Sequence, residues 1–317
     1  MKHIILVGAC YLDTILSVPH FPEEDSKLRA NSLQLRRGGN CPNTLEVLLQ
    51  LLRREPGQSP VTPHLISCLP SSESPATSKI LSSFGPGPAL DFSHCLYRRG
   101  YTEPASSYIV RSQETGSRTI VNFNDLPEMT LEEFVAIADD FRDKGECLWH
   151  FEAIKGRIPE TVLGCIRYLR RALPDSKISV EVEKPGREGL RELAAEANIV
   201  FYSRPWAENQ GYDTAESCLR GESPPRASLV LCTWGAQGAS ALSLPAGKYI
   251  QYPATTLGRE RIRVVDTIGA GDTFIAALLF GVACHGSDWD SERKLRFAVD
   301  LATKKVQMDG FAGLVGW

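Results

Sequence analysis

The sequence predicts an α/β fold: a mostly parallel central sheet flanked by helices, with a small β-sheet standing off it as a lid. Three observations carry this. From about residue 147, short apolar runs alternate with amphipathic stretches in the order strand, helix, strand, helix, as in a parallel sheet covered on both faces. Earlier, segments near 14–40 and 103–124 carry hairpin-like patterns that break this rhythm. Finally, the glycine-rich stretches Gly38-Gly39 and Gly269-Ala270-Gly271 each stand before a helical pattern.

In order along the chain, His3–Cys10 is a continuous apolar run that suits a buried strand. Ser26–Arg37 partly alternates and predicts one or two half-exposed strands. Asn43–Arg53 places Leu45, Leu48, Leu49 and Leu52 at helical spacing. Residues 54–64 and 69–76, rich in Pro, Ser and Gly, read as loops. Ser106–Val110 and Arg118–Phe123 flank a glycine-containing turn and form a hairpin. Met129–Phe141 is helical, with Thr130 as N-cap before Glu133. Strands follow at Cys147–Phe151, Ile178–Val182, Ile199–Tyr202, Leu229–Thr233 and Ile262–Val265. Helices are expected at Pro159–Leu173, Gly189–Ala197, Thr273–Ala283 and Arg293–Val306. The whole chain, 1–317, reads as one domain.

Composition narrows the function classes. The 317 residues are 43% hydrophobic with a net charge of −3, which gives no reason to expect nucleic acid as a partner; the basic pairs are short and scattered. The nine cysteines include no CxxC and no zinc-ligand spacing with His, so buried free thiols in a reducing compartment are expected. No apolar run reaches the ~18 residues of a membrane span. A cytoplasmic protein without membrane contact is the expectation.

The chemistry concentrates in Asp266-Thr267-Ile268-Gly269-Ala270-Gly271-Asp272. Glycines at a helix start let the backbone approach a ligand, and the helix N-terminus offers unpaired N–H groups and a positive dipole. Asp272 inside such an anion hole is expected to stay ionised and to accept a hydroxyl proton during phosphoryl transfer. An ordinary glycine-rich turn with a capping Asp would also explain the pattern. Phe274 replaces the third glycine of a dinucleotide fingerprint, and no GxxxxGK[ST] occurs. A second constellation comprises Asp13 and Arg37-Gly38-Gly39-Asn40-Cys41-Pro42-Asn43. Asp13, Asn40 and Asn43 are side chains of the kind that read sugar hydroxyls; a turn with an N-cap is the alternative. Glu152, Glu181 and Glu183 stand at or near strand ends, where they could organise Mg2+ through water, with Glu183 the metal candidate.

Asp266–Asp272 resembles the DTxGAGD signature of the PfkB, or ribokinase-like, carbohydrate kinases, and Gly38–Asn43 resembles their GGNxxN motif. Pro22–Arg29, Gly116–Val121, Ser179–Pro185, Cys232–Trp234 and Gly310-Phe311 extend the resemblance to the ketohexokinases over nearly the whole chain. The resemblance implies a ribokinase-like fold and an ATP- and Mg2+-dependent sugar kinase. Its substrate would be fructose, phosphorylated to fructose 1-phosphate, or another sugar or nucleoside such as ribose or adenosine; a non-catalytic sensor is the rival. It makes Asp272 the general base and Gly269, Ala270 and Gly271 the anion hole. Asp13, Gly39, Asn40 and Asn43 would bind the sugar. A homodimer formed through the lid would bring Asp25 to the sugar from the partner chain. Arg118, Thr233, Trp234, Gly235 and Gly238 would meet the nucleotide. Trp234 equally suits a core position, Asp25 a turn, and Arg118 a pair with Glu114. The family's NxxE is absent, Ser203-Arg204-Pro205-Trp206 standing after the strand Ile199–Tyr202. Ser67–Thr77 lacks the family's glycines, and Ala153-Ile154-Lys155 separates Glu152 from Gly156-Arg157.

Overall fold

The computed structural model describes residues 2–55, 60–85, 90–152, 159–255 and 262–316. Its main sheet orders eight strands as β14-β13-β12-β11-β10-β9-β1-β4. These are β1 (Lys2–Val7), β4 (Val61–Ile66), β9 (Glu146–Phe151), β10 (Lys177–Val182), β11 (Ile199–Ser203), β12 (Leu229–Thr233), β13 (Ala239–Ser243) and β14 (Lys248–Tyr252). All neighbours pair in parallel except β12–β13 and β13–β14. The lid is a four-stranded sheet of order β3-β2-β7-β8, from β2 (Tyr11–Val18), β3 (Ser32–Gly38), β7 (Ala105–Ser112) and β8 (Arg118–Phe123). A short parallel pair, β5 (Cys68–Pro70) with β6 (Leu96–Arg98), completes the strands.

Burial on both faces explains the near-continuous apolar strands. In β1, Ile4 and Leu6 pack into one core with α1 (Asn40–Arg54), α2 (Pro75–Ser82), α8 (Ala270–Cys284) and α9 (Ser291–Lys305). Ile5 and Val7 enter a second core with α3 (Leu131–Asp139), α4 (Pro159–Ala172), α5 (Leu190–Glu196), α6 (Arg204–Asn209) and α7 (Ala215–Gly221). Each fully buried aliphatic side chain contributes about 1.5–3 kcal/mol relative to exposure. Helix α8 is apolar nearly all round because it is buried nearly all round, from Asp272 to Ala283. At α3, Thr130 and Glu133 form the expected capping box.

The lid obeys a period of two. Asp13, Ile15, Arg36, Ser107, Ile109, Arg118 and Ile120 share one face through the strand registers and line the cleft below. Leu33, Leu35, Tyr108, Val121 and Phe123 lie on the opposite face and are exposed.

Three expectations need correction. Ile262–Val265 is not a strand: Val265 and Asp266 merely donate to the Val306 carbonyl at the end of α9, and Val264 is 61% exposed. Strand propensity expresses fit to a pleated neighbour, and this segment meets a helix end instead. Residues 69–76 are not all loop, since β5 ends at Pro70 and α2 begins at Pro75, with Ser74 capping it by accepting from the Ala76 N–H. Residues 54–64 likewise include the start of β4. Residues 153–158, where the chain departs from the family after Glu152, lie outside the described residues.

Candidate active site

A cleft of about 490 Å³ opens between the lid and the carboxyl ends of the parallel strands, the place where such sheets bind ligands. Its floor is set by the ends of β1, β9, β10, β11 and β12: Gly8, Glu152, Glu183, Ser203 and Thr233 lie at or just past the last residues of these strands. Two helices, α1 and α8, present their N-termini to it. Gly39 precedes α1 at φ 104, and a Cβ there would overlap the Ala9 carbonyl oxygen. Gly269 precedes α8 at φ 77, where a Cβ would overlap the Phe311 ring. Glycine is required twice, for backbone conformation and for space.

Asp272 lies in the first turn of α8 and is buried. Its Oδ2 accepts from Asn43 Nδ2 at 2.8 Å, and its carbonyl accepts from Thr44 Oγ1 at 3.3 Å. The two glycine-led helices are thereby joined at their starts. The surroundings of Asp272 work against the ready ionisation that the sequence leads one to expect. Burial raises its proton affinity well above the usual Asp range, with Glu181, Glu183 and Glu152 adding to the rise; the Asn43 hydrogen bond and the Arg37 charge oppose it. Exclusion from water, with carboxylates nearby, works against the helix terminus.

Asn40 bridges two of those acids, its Nδ2 standing 3.0 Å from both Glu181 Oε2 and Glu183 Oε2. Behind them, Glu181 Oε1 meets His150 Nε2 at 3.0 Å in full burial. Ser179 Oγ donates to the Trp149 carbonyl and so accepts from His150 Nδ1–H. Neutral His150 then turns a lone pair to Glu181, which must supply the proton. Burial, and next the Glu183 charge, indeed push the Glu181 carboxyl up, while burial lowers His150 to about 4. The pair is hydrogen-bonded and neutral rather than ionic.

On the lid side, Asp13 pairs in register with Arg36 and Ser107. Burial raises its proton affinity against the pull of Ser107, Arg36 and Arg37. Asp13 Oδ1 and Arg36 Nη2 are buried without a hydrogen-bond partner. Arg37 is held by Glu46 and packs over the Phe84 ring. Asp266 organises the glycine loop from below: Oδ1 accepts from Ile268 N at 2.9 Å, and Oδ2 from the fully buried Lys305 Nζ at 3.0 Å. Burial alone would push Asp266 up, but these donors hold it below the usual range.

Of the residues singled out in the sequence, the cleft gathers Asp13, Gly39, Asn40, Asn43, Arg118, Thr233, Glu183, Gly269, Gly271 and Asp272. Ala270 contributes only helix backbone, its N–H already directed at the Thr267 carbonyl. Of the expected nucleotide residues, Arg118 and Thr233 line the cleft, Trp234 is buried in the core beneath the Arg204 guanidinium, and Gly235 and Gly238 shape the tight turn between β12 and β13. Asp25 is exposed on a turn at φ 58, away from its own chain's cleft. Tyr11, Arg36, Lys184 and Arg187 also line the cleft and escaped the sequence. Tyr11 alone had a signal, two residues before Asp13 on a strand.

Comparison with known proteins shows the family and the fold. The model of the pfkB family carbohydrate kinases matches residues 1–313. Mouse (Mus musculus) ketohexokinase is 31% identical over 321 residues, covering 99% of each chain. A fructokinase of Rhizobium leguminosarum bv. trifolii is 36% identical over 94 residues, 28% of this chain and 26% of that one. Among solved structures, Giardia lamblia ribokinase superposes with a TM-score of 0.76 at 16% identity, over 99% of this chain and 95% of that one. Arabidopsis thaliana ribokinase complexed with ribose and ATP gives 0.74 at 18%, over 99% and 98%. The fold is ribokinase-like, and the chain belongs to the pfkB family of carbohydrate kinases, a family of sugar kinases.

Proposed function

We propose that this kinase transfers the γ-phosphate of ATP to a hydroxyl of a ketohexose, converting fructose to fructose 1-phosphate. The observation that carries the reading is Asp272: a buried carboxyl of raised proton affinity, at the start of a glycine-led helix, hydrogen-bonded to Asn43 of the second constellation. A raised proton affinity makes a carboxylate a stronger base towards a hydroxyl proton. The N-terminus of α8 offers N–H groups to the charge developing on the transferring phosphoryl group. Asn40, Asn43 and the unpaired Asp13 oxygen, all lining the cleft, would fix sugar hydroxyls. The lid's Arg36 and Arg118, with Lys184 and Arg187 across the cleft, bring positive charge for the phosphates. Closure of the lid would keep water from competing as acceptor.

The acid cluster fits a divalent ion. Glu181 and Glu183 converge on one Asn40 amide, and Glu181 and Asp272 both hold protons more tightly, first through burial and then through the neighbouring carboxylates. Glu183 and Glu181, with Glu152 beyond, would hold Mg2+ largely through water. Bound there, the ion supplies charge neutralisation for the nucleotide phosphates.

The 31% identity to mouse ketohexokinase over the full length supports a ketohexose among the family's substrates. The exposed apolar outer face of the lid suits a second copy of the chain; a homodimer would let Asp25 approach the partner's sugar. A cytoplasmic location is compatible with the described residues, in which no helix is long and apolar enough to cross a membrane. The test is sugar-dependent ADP release with Mg2+ across fructose, ribose and adenosine. Preference for fructose with a 1-phosphate product is expected; release with none of the three, or with ribose or adenosine alone, sinks the assignment.

A further inference from the structure

Away from the cleft, at the edge of the main sheet, a second group of side chains converges. His64 lies in the edge strand β4, which a short parallel bridge extends to Asp91: Leu65 N donates to the Asp91 carbonyl at 3.1 Å, and Asp91 N to the Pro63 carbonyl at 3.0 Å. His94 follows on the next turn, its ring against Phe141. One ligand atom from each of His64, Asp91 and His94 lies within 4.8 Å of the others. None of the three lines the cleft.

A neighbouring histidine fixes how His64 is protonated. His3 Nδ1 and His64 Nε2 are 2.9 Å apart. The Lys144 backbone carbonyl acts as an acceptor for the His3 ring, which places the His3 proton on that side. His3 Nδ1 must then accept from His64 Nε2–H. His64 Nδ1 is left with a lone pair, buried and without a hydrogen-bond partner, 3.3 Å from Asp91 Oδ2. Two acceptors face each other, an arrangement that asks for a cation between them. Enclosure of His64 by the rings of His3, His94 and Phe141 makes a proton a poor candidate.

We propose that His64, Asp91 and His94 form a binding site for a divalent transition-metal ion of the zinc type. Two imidazoles and one carboxylate are the donor set such ions take, with a fourth position left for water. Zinc bonds of about 2.0–2.1 Å in a tetrahedron set neighbouring ligand atoms about 3.4 Å apart, and His64 Nδ1 and Asp91 Oδ2 already stand at 3.3 Å. Movement of the His94 side chain on its turn closes the set. The outer contacts are those a metal site uses: His3 behind His64, and the Asp140 carboxylate 3.5 Å from His94 Nε2. The ion ties β4, the Asp91–His94 segment and the region after α3 together, so its effect falls on stability rather than on the cleft.

Full-length protein stripped with EDTA is titrated with Co2+ and with Zn2+. One ion per chain is expected, with a visible Co2+ spectrum of low coordination number that Zn2+ abolishes, and a Tm that rises with added zinc. Asp91→Asn and His94→Gln, each at a partly exposed position, should weaken binding at least ~10-fold and remove the Tm response. Absence of a saturable ion overturns the proposal. So does equal affinity in both variants, which would put the metal on thiols or on the cleft carboxylates.

Discussion

Asn43 Nδ2 donates to Asp272 Oδ2 across 2.8 Å, although 229 residues separate them in the chain. The bond ties the first turn of α1 to the first turn of α8, so the proposed sugar-reading residue and the proposed base move as one unit. It is also the neutral contact that holds the Asp272 proton affinity down.

Asp272→Asn should reduce sugar-dependent turnover by about 10²-fold or more while nucleotide binding survives. The same change should raise Tm. The folded protein holds the Asp272 proton more tightly than the unfolded chain does, so the carboxyl costs nothing below its unfolded pKa of about 4 and destabilises increasingly as pH rises above it. The mutant's advantage should be present near pH 7.5 and fade as pH falls towards 4. Thermal melts across pH check this; a pH-independent difference would show that burial of charge is not its origin.

Asn43→Ala removes the one hydrogen bond that opposes the rise, so Asp272 should titrate higher still. The acid limb of kcat/KM is expected to move to higher pH, with transition-state binding weakened by about 1.5–3 kcal/mol, the range for a hydrogen bond to a charged group. An acid limb that stays in place would detach Asn43 from the base.

Lys305→Met leaves the half-buried Asp266 with only the Arg36 guanidinium, 3.9 Å away, as a cation and should destabilise by about 1.5–3 kcal/mol, the range for a hydrogen bond to a charged group. Adding Asp266→Asn should recover part of that loss, since no carboxylate charge then lies beneath the glycine loop. Urea midpoints of the two single mutants and the double mutant measure the coupling.

Gly39→Ala places a side chain at φ 104 against the Ala9 backbone oxygen. A cost of at least about 1–3 kcal/mol follows from the strained backbone alone, read as a lower urea midpoint. Gly116→Ala makes the control for space, because a Cβ there meets nothing within 4 Å although its φ of 69 is also positive.

Val121→Glu puts a charge on the exposed apolar lid face. If that face joins two copies, the variant should sediment as a monomer where the unmodified protein sediments as a dimer. A monomer in both cases removes the partner-chain role for Asp25.

The sequence by itself determined the alternation of strand and helix after residue 147, the lid hairpin, and the two glycine-led helix starts. Each is written in local periodicity or in a backbone requirement that few residues satisfy. It also named Asp13, Asn40, Asn43 and Asp272 as a set. Local pattern misread Ile262–Val265, because β-branched residues report propensity and not whether a strand partner is near. It placed Trp234 equally in core and pocket, and packing chose the core. Ser74-Pro75 carried a helix-start signal that the surrounding Pro and Ser obscured. Only the tertiary structure buried Asp272 and brought Glu152, Glu181 and Glu183 around it, and with them came the raised proton affinity that works against the expected ready ionisation. That rise could not be written in the 266–272 segment, since electrostatic energy depends on distances between charges that the chain fixes only when β9, β10, α1 and α8 meet.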